Sequence, residues 1–279
     1  MSGLFSLLVA ADPAAPAASE HDPASVLMHH VLDQTYFGLP SKHLVFFGIA
    51  AVLVIVMARL ALRSYKNGQP SGLGTAVETL VVFVRDEIAE KNIGHGDGRK
   101  FTPLLCSFFF FILVAALLGL VPLPAYQDGH WSVGGTTSTG NLSVTLALAV
   151  VSFLAQQYAG ISKYGVVHHF AGIVPPGLPG WLLPIMIPVE IISMFTKPFA
   201  LMIRLFANML AGHMVITTLL LLIPMMAGVN SFFGVAMIPV SLGLALFIMI
   251  LEVLVAFIQA YIFTLLTAIF IGMYAHPAH

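Results

Sequence analysis

Charged side chains are scarce in this sequence. Asp, Glu, Lys and Arg make up only 8% of its 279 residues, whereas 59% of the residues are hydrophobic. A soluble domain carries about 25% charged residues. The composition therefore excludes a soluble globular protein and predicts an integral membrane protein.

Cysteine is nearly absent as well, with Cys106 as the single example. One thiol cannot close a disulfide within the chain or build a cysteine metal cluster. Cys106 lies in an apolar run beside Ser107 and four phenylalanines, so we interpret it as a packing residue. No metal and no cofactor is predicted, because the potential ligands His213 and Glu252 are too few for a metal site.

Five apolar runs are long enough to cross a membrane, since a hydrocarbon core of about 30 Å takes about 20 helical residues. The runs are Leu44 to Leu62, Phe101 to Leu123, Leu142 to Ile161, Trp181 to Ala227 and Val229 to Ala275. We therefore predict an all-α membrane protein with about five transmembrane helices.

The last two runs are too long for perpendicular helices. Few helix breakers interrupt them, and between Pro198 and Pro224 the only one is Gly212. About 40 helical residues extend ~60 Å, twice the hydrocarbon thickness. Two long, strongly tilted helices over about 181–275, joined near Gly228–Phe233, therefore fit better than four short spans.

A different pattern occupies residues 73–93. Apolar residues recur there at the i, i+3 and i+4 spacing of one helical face, and charged residues occupy much of the rest. This pattern is typical of an amphipathic helix that lies at a membrane surface. Val82 and Phe83 lie off the apolar face, so contact with a partner on a second face is an alternative.

Basic residues indicate the orientation of the chain. Seven of the 11 Lys and Arg residues lie between residues 59 and 100, and the loop 124–141 has none. The positive-inside rule then places loop 59–100 and the C-terminus in the cytoplasm and the N-terminus outside. Residues 1–40 are expected to form an extra-cytoplasmic tail, and residues 41–279 a single membrane domain.

Arg204 lies near the middle of the first long run, whose ionisable residues are Glu190, Lys197, Arg204 and His213. A guanidinium cannot lose its proton to escape a low dielectric. A mid-membrane charge costs roughly 2.5–3.5 kcal/mol unless it faces protein or water. We therefore predict that Arg204 handles another charge inside the bilayer. Lys197, beside Pro198, is expected to snorkel toward an interface.

The other polar residues fall at ordered depths. Glu190 lies 14 residues before Arg204, on the same face and nearer the cytoplasm, whereas His213 lies nearer the outside. On the returning helix Glu252 lies at the depth of His213, and Gln259 lies further in as a candidate neighbour of Arg204. Titratable residues thus lie on the cytoplasmic side and on the outer side of Arg204, which keeps its charge. This arrangement predicts two offset proton half-channels that are separated by the arginine.

Other interpretations remain open. Glu190, Arg204 and Glu252 could form a structural network, and Asn208 and Gln259 could be plain interhelical hydrogen-bonding residues. A secondary transporter or ion channel could use a mid-membrane arginine to bind an anion, although no convincing internal repeat is present. A structural membrane scaffold would not need polar residues at ordered depths.

The stretch from Lys197 to His213 contains the core Arg-Leu-Phe-Ala-Asn-Met-Leu-Ala-Gly. It resembles the signature of subunit a of bacterial F-type rotary ATP synthases. The segment around Glu190 and the segment that begins at Glu252 are similar to the same family. The similarity covers roughly residues 35–275 and is strongest after residue 180.

The resemblance implies a stator subunit that couples proton flow to rotation and ATP synthesis. Arg204 would be the essential arginine that faces the carboxylates of the c-subunit ring, with Asn208 and Gln259 as its polar neighbours. Glu190 would lie on the cytoplasmic access path. The chain is not expected to be an enzyme on its own, because it would translocate protons only together with the c-ring.

The resemblance also implies that His213 and Glu252 line the outer half-channel. Some bacterial members carry glutamate on the first long helix and histidine on the second, and the pair is reversed here. The swap keeps one base and one acid at a shared site, which suits a proton relay. The implied partners are the c-subunit ring, the peripheral-stalk b subunits beside segment 73–93, and membrane lipid, with no nucleic acid. The implied location is the bacterial cytoplasmic (inner) membrane.

Overall fold

The computed structural model describes residues 42–64, 72–121, 124–127, 130–133, 140–166 and 183–275. The predicted tail 1–40 lies outside these residues. Five helices in the described chain are long and apolar enough to cross a membrane, which confirms an all-α membrane protein with five spans. The elements in chain order are α1 (Lys42–Arg63), α2 (Leu73–Phe83), a π-helical segment π1 (Val84–Glu90), α3 (Lys91–Ile93), α4 (His95–Leu120), β1 (Pro124–Gln127), β2 (His130–Val133), α5 (Leu142–Tyr164), α6 (Leu183–Val229) and α7 (Ser231–Ala275).

The two C-terminal helices are continuous for 47 and 45 residues, which confirms the prediction of a long helix pair. Pro188, Pro198 and Pro224 lie inside α6 without dividing it. At 1.5 Å per residue α6 is about 70 Å long, so it must lie strongly inclined in a membrane of about 30 Å. The turn between the helices falls at Asn230, whose side chain accepts a 2.9 Å hydrogen bond from the Phe232 amide at the start of α7.

The second span, α4, begins at His95, earlier than the predicted start at Phe101. Gly94, with a φ of 102°, turns the chain from α3 into α4. A Cβ on Gly98 would lie 2.8 Å from the Ala89 carbonyl oxygen, so the first turn of α4 packs directly on π1. Hydropathy could not reveal this start, because the first turns of the helix are polar.

Residues 73–93 form the predicted helical segment, but its middle is the π-helical π1 rather than α-helix. Val84, Ile88 and Ala89 of π1 are fully buried in the main hydrophobic core. The apolar face of π1 therefore packs on α4 and α7. The hydrophobic periodicity identified a buried face, and the structure adds which helices bury it.

Glu90 ties π1 to the beginning of α4. Its carboxylate accepts a 2.7 Å hydrogen bond from Arg99 Nε and lies 2.7 Å from His95 Nδ1. The hydrogen bond from Arg99, followed by that from His95, lowers the pKa of Glu90 below its ordinary value. The carboxylate is thus held in its charged form at the turn that positions α4.

A two-stranded antiparallel hairpin follows α4, and the sequence analysis did not predict it. β1 and β2 pair with Tyr126 opposite Trp131 and Gln127 opposite His130. Strands of four residues are too short to give a reliable alternating pattern. The hairpin connects the second and third spans without altering the helical class of the protein.

The core lies where α4 packs against α7. Phe108 contacts Phe263 at 5.4 Å between ring centroids, and Phe109 contacts Phe257 edge-on at 5.7 Å. Edge-to-face aromatic pairs add about 0.5–1.5 kcal/mol beyond the burial of their area. This packing fixes α7 against α4, and α6 packs on α7.

We expect Gly272→Ala to destabilise the chain, because a Cβ there would overlap the backbone carbonyl oxygen of Asn92. A backbone group cannot move aside as a side chain can, and overpacking costs typically about 1–3 kcal/mol. Gly243→Ala is the matched control on the same helix, since nothing lies within 4 Å of a Cβ there. The midpoint of thermal unfolding of the purified complex measures both, and equal midpoints would contradict the close approach of α7 to α3.

Candidate functional site on the long helix pair

Arg204 lies on a face of α6 that points away from the rest of the chain. Leu205 and Met209 turn into the protein and are almost fully buried. The Arg204 side chain is exposed, and the exposed positions one and two turns from it on the same side of α6 are Ala200, Ala207 and Ala211, whereas the adjacent exposed residue is Ile203. An arginine exposed on the middle of a spanning helix must be covered by protein or water. Small residues beside it let another helix approach closely.

A cavity of about 510 Å³ adjoins this face, between α6 and the C-terminal part of α7. Arg204 and Lys197 both line it, and Leu266 and Phe270 contribute from α7. The two cations are seven residues apart, which is about 10 Å along the helix. The cavity therefore combines apolar walls with positive charge on one side.

Lys197 packs over two aromatic rings of α7, a contact that the snorkelling expectation did not include. Its ammonium nitrogen lies 5.4 Å from the centroid of the Phe270 ring and 5.9 Å from that of Tyr274. Such cation–π contacts contribute about 0.5–2 kcal/mol, depending on solvation. They hold Lys197 against α7, beside the cavity that Arg204 also lines.

Glu252 of α7 packs directly on the backbone of Gly212. A Cβ on Gly212 would lie 2.6 Å from Glu252 Oε1 and 2.8 Å from its Cδ, so only glycine leaves room for this carboxylate. Glu252 is 7% exposed, and its Oε2 accepts no hydrogen bond from the described residues. The contact places Glu252 against the helical turn that carries His213, which is half-buried.

Glu190 lies toward the other end of α6 and is half-buried. Its carboxylate interacts electrostatically with the Tyr274 hydroxyl at the end of α7, and Tyr274 also interacts with the side chain of Gln157 on α5. Near the centre, Asn208 is half-buried one turn after Arg204.

Arg204, Glu190 and the contact point of Glu252 are thus spread along α6. Gly212, the contact point of Glu252, lies eight residues after Arg204, or about 12 Å along the axis. Glu190 lies 14 residues before Arg204, or about 21 Å. Gln259, on α7, is 4% exposed and faces the interior of the chain. A fixed cation therefore lies between two separate carboxylate positions.

Sequence reasoning missed two members of this arrangement. Gly212 was visible as a helix breaker and as the last residue of the motif, but its contact depends on a side chain that lies 40 residues later on another helix. Tyr274 lies at the end of an apolar run and has no motif of its own. The Gly-His pair in the middle of a long apolar helix was the one signal that could have suggested a close helix contact.

The chain is similar to known proteins over most of its length. Residues 44–272 match the family model described as ATP synthase A chain. The chain is 43% identical to ATP synthase subunit a of Chloroherpeton thalassium, covering 93% of this chain and 80% of that protein. It is also 43% identical to ATP synthase subunit a of Myxococcus xanthus, covering 95% and 81%, and 40% identical to ATP synthase subunit a 2 of Chlorobaculum tepidum, covering 92% and 74%. Because the match runs from the first span to the end of α7, the chain belongs to the ATP synthase A chain family.

Proposed function

We propose that this chain is the proton-translocating stator subunit of the membrane sector of an ATP synthase. It forms two offset proton half-channels against a rotating ring of c subunits and couples proton flow to rotation and ATP synthesis. Family membership supports the stator role over the alternative of a secondary transporter or ion channel. The observation that carries the half-channel proposal is the exposed Arg204 between two separate carboxylate positions.

The c-ring docks on the face of α6 that carries Arg204. This face exposes a permanent cation flanked by alanines, which is a surface that a lipid would cover poorly and a helix with a buried carboxylate would cover well. Each passing c subunit would exchange its proton and pair briefly with the guanidinium. Asn208, one turn after Arg204, is the polar neighbour on the same helix, and Gln259 is the proposed polar neighbour on the buried side of α7.

Protons reach the ring from opposite sides of Arg204. The outer half-channel ends at Glu252 and His213, and the inner one runs along Glu190. Arginine keeps its proton and so passes none along, which prevents a direct leak between the two. Each elementary charge that crosses is worth about 2.3 kcal/mol per 100 mV, and this free energy drives rotation.

The chain is a multi-pass membrane protein, and we infer its orientation from its basic residues. The N-terminus lies outside and the C-terminus in the cytoplasm of a bacterium, because Lys and Arg concentrate in segment 59–100. The exposed charged face of segment 73–93 is the surface offered to the peripheral-stalk b subunits.

A cross-linking experiment tests the docking face. In a Cys106→Ser background, we expect Ala207→Cys to cross-link to a cysteine placed next to the carboxylate of the c subunit. Ala207 is exposed three residues after Arg204, so its thiol would lie in the a–c contact. The readout is the a–c product on a denaturing gel after mild oxidation of membranes.

Met209→Cys is the matched control, because Met209 is buried two residues further along the same helix. It is expected to give no a–c product. A strong product from Met209→Cys and none from Ala207→Cys would place the ring on another face and overturn this docking.

A further inference from the structure

A chain of hydrogen bonds is buried between α5 and α7, away from the residues discussed above. Ser152 and Thr267 are fully buried, and their hydroxyl oxygens lie 2.9 Å apart. Gln156 Nε2 donates a 3.1 Å bond to Ser152 Oγ, and Thr267 Oγ1 donates a 2.8 Å bond to the Phe263 carbonyl. Two spans of a membrane protein thus carry a polar cluster at a position where apolar packing would cost less.

The order of donors fixes how the Gln156 amide is turned. The Thr267 hydroxyl gives its proton to a carbonyl, so the Ser152 hydroxyl must donate to Thr267 and accept from the amide N–H. Gln156 Oε1 therefore points away from Ser152. Gln156 is 1% exposed, and within the described chain its Oε1 accepts no hydrogen bond from any protein group.

A buried amide oxygen without a donor destabilises the fold. Internal water is the usual donor in such places, because it can satisfy several buried polar groups at once. The neighbouring residue on α5, Gln157, interacts with Tyr274, and Tyr274 interacts with Glu190. Polar groups therefore run from Glu190 on α6, across the end of α7, to Gln157, the residue that follows Gln156 on α5.

We propose that Gln156 binds internal water and that this water extends the inner proton path from Glu190, past Tyr274 and Gln157, into the α5–α7 interface. The extension rests on the proposed function, whereas the water site itself does not. The amides and hydroxyls hold and orient the water, and the water carries the proton. Glu190 is the titratable carboxylate at the cytoplasmic end of this path. Lys197, whose ammonium group lies over the Tyr274 ring, is the cation beside the path.

Thiol accessibility tests the site without relying on proton transport. We expect Ser152→Cys, in a Cys106→Ser background, to be blocked by silver ions added to the cytoplasmic face of inverted vesicles. Blocking is measured as loss of alkylation after denaturation, by mass spectrometry of the α5 peptide. The assembled complex is used throughout, and its ATPase activity reports that the variant is intact.

Ala159→Cys is the matched control. Ala159 is buried seven residues further along the same face of α5, nearer the proposed cytoplasmic end, and belongs to the apolar core. A wet site predicts that the thiol at position 152 reacts at least about tenfold faster than the one at 159, despite lying deeper. Equal rates, or a faster reaction at position 159, would show that silver ions enter through fluctuations of the apolar core. Either result would overturn the proposal.

Adding Gln156→Leu to Ser152→Cys is expected to slow the reaction about tenfold, since the group that binds water is then gone. If Ser152→Cys does not assemble, Thr267→Cys replaces it, because Thr267 lies in the same hydrogen-bonded chain. An a–c cross-link at position 207 with no silver reaction at 152 or 267 would leave the stator function standing and exclude the water site. Silver reaction without the cross-link would support the water site and contradict the docking of the ring.

Discussion

Replacement of Arg204 with alanine is expected to abolish ATP-driven proton pumping while the complex stays assembled. The alanine removes the charge that pairs with each incoming carboxylate, so the ring has no fixed point at which to exchange protons. It also removes a charge that costs roughly 2.5–3.5 kcal/mol to place in the membrane, so insertion of α6 is not impaired. A loss of at least about a hundredfold in pumping rate is expected, which is ~2.7 kcal/mol of barrier.

Pumping is measured by the quenching of a pH-sensitive dye in inverted vesicles after addition of ATP. Without the cation, the inner and outer paths are no longer separated, so the same vesicles are expected to leak protons passively. Ile203→Ala is the matched control, since Ile203 is the adjacent exposed residue and carries no charge. Pumping by Arg204→Ala at close to the rate of the unaltered chain would leave Arg204 with a structural role only.

Gly212→Ala is expected to cut pumping at least about tenfold, an increase of ~1.4 kcal/mol in the barrier. The added Cβ would lie 2.6 Å from Glu252 Oε1, so the carboxylate must move away from the turn that carries His213. The end of a flexible side chain can move, so assembly of the complex is expected to survive. The defect therefore falls on proton transfer rather than on folding.

Two further variants separate these effects. Gly228→Ala is the control on the same helix, because nothing lies within 4 Å of a Cβ there, and it is expected to pump normally. Adding Glu252→Asp to Gly212→Ala shortens the acid and is expected to restore part of the rate. Normal pumping by Gly212→Ala, or a defect that the shorter acid does not relieve, would remove Glu252 from the proton path.

The spans and the long helix pair could be predicted from the sequence, because hydrocarbon thickness sets the length of an apolar run. Arg204 could be singled out for a similar reason: an arginine keeps its charge in any environment, so its position in an apolar run is informative by itself. The motif from Arg204 to Gly212 then identified the family. These features depend on residues that are close together in the chain.

Other features depend on contacts between distant residues. The apolar face of segment 73–93 was visible, but its burial against α4 and α7, the π-helical turn and the close contact of Gly272 with Asn92 depend on how helices pack. The early start of α4 was hidden because its first turns are polar.

The sequence by itself determined which helices exist, how long they are and which charges lie within them, because each of these follows from local composition and periodicity. Only the tertiary structure decided that Arg204 faces outward among alanines, that Glu252 rests on Gly212, and that Gln156 lies buried against α7. These relations depend on the rotation and offset of one helix against another. Side-chain packing between helices sets both, and hydropathy along one helix does not record them.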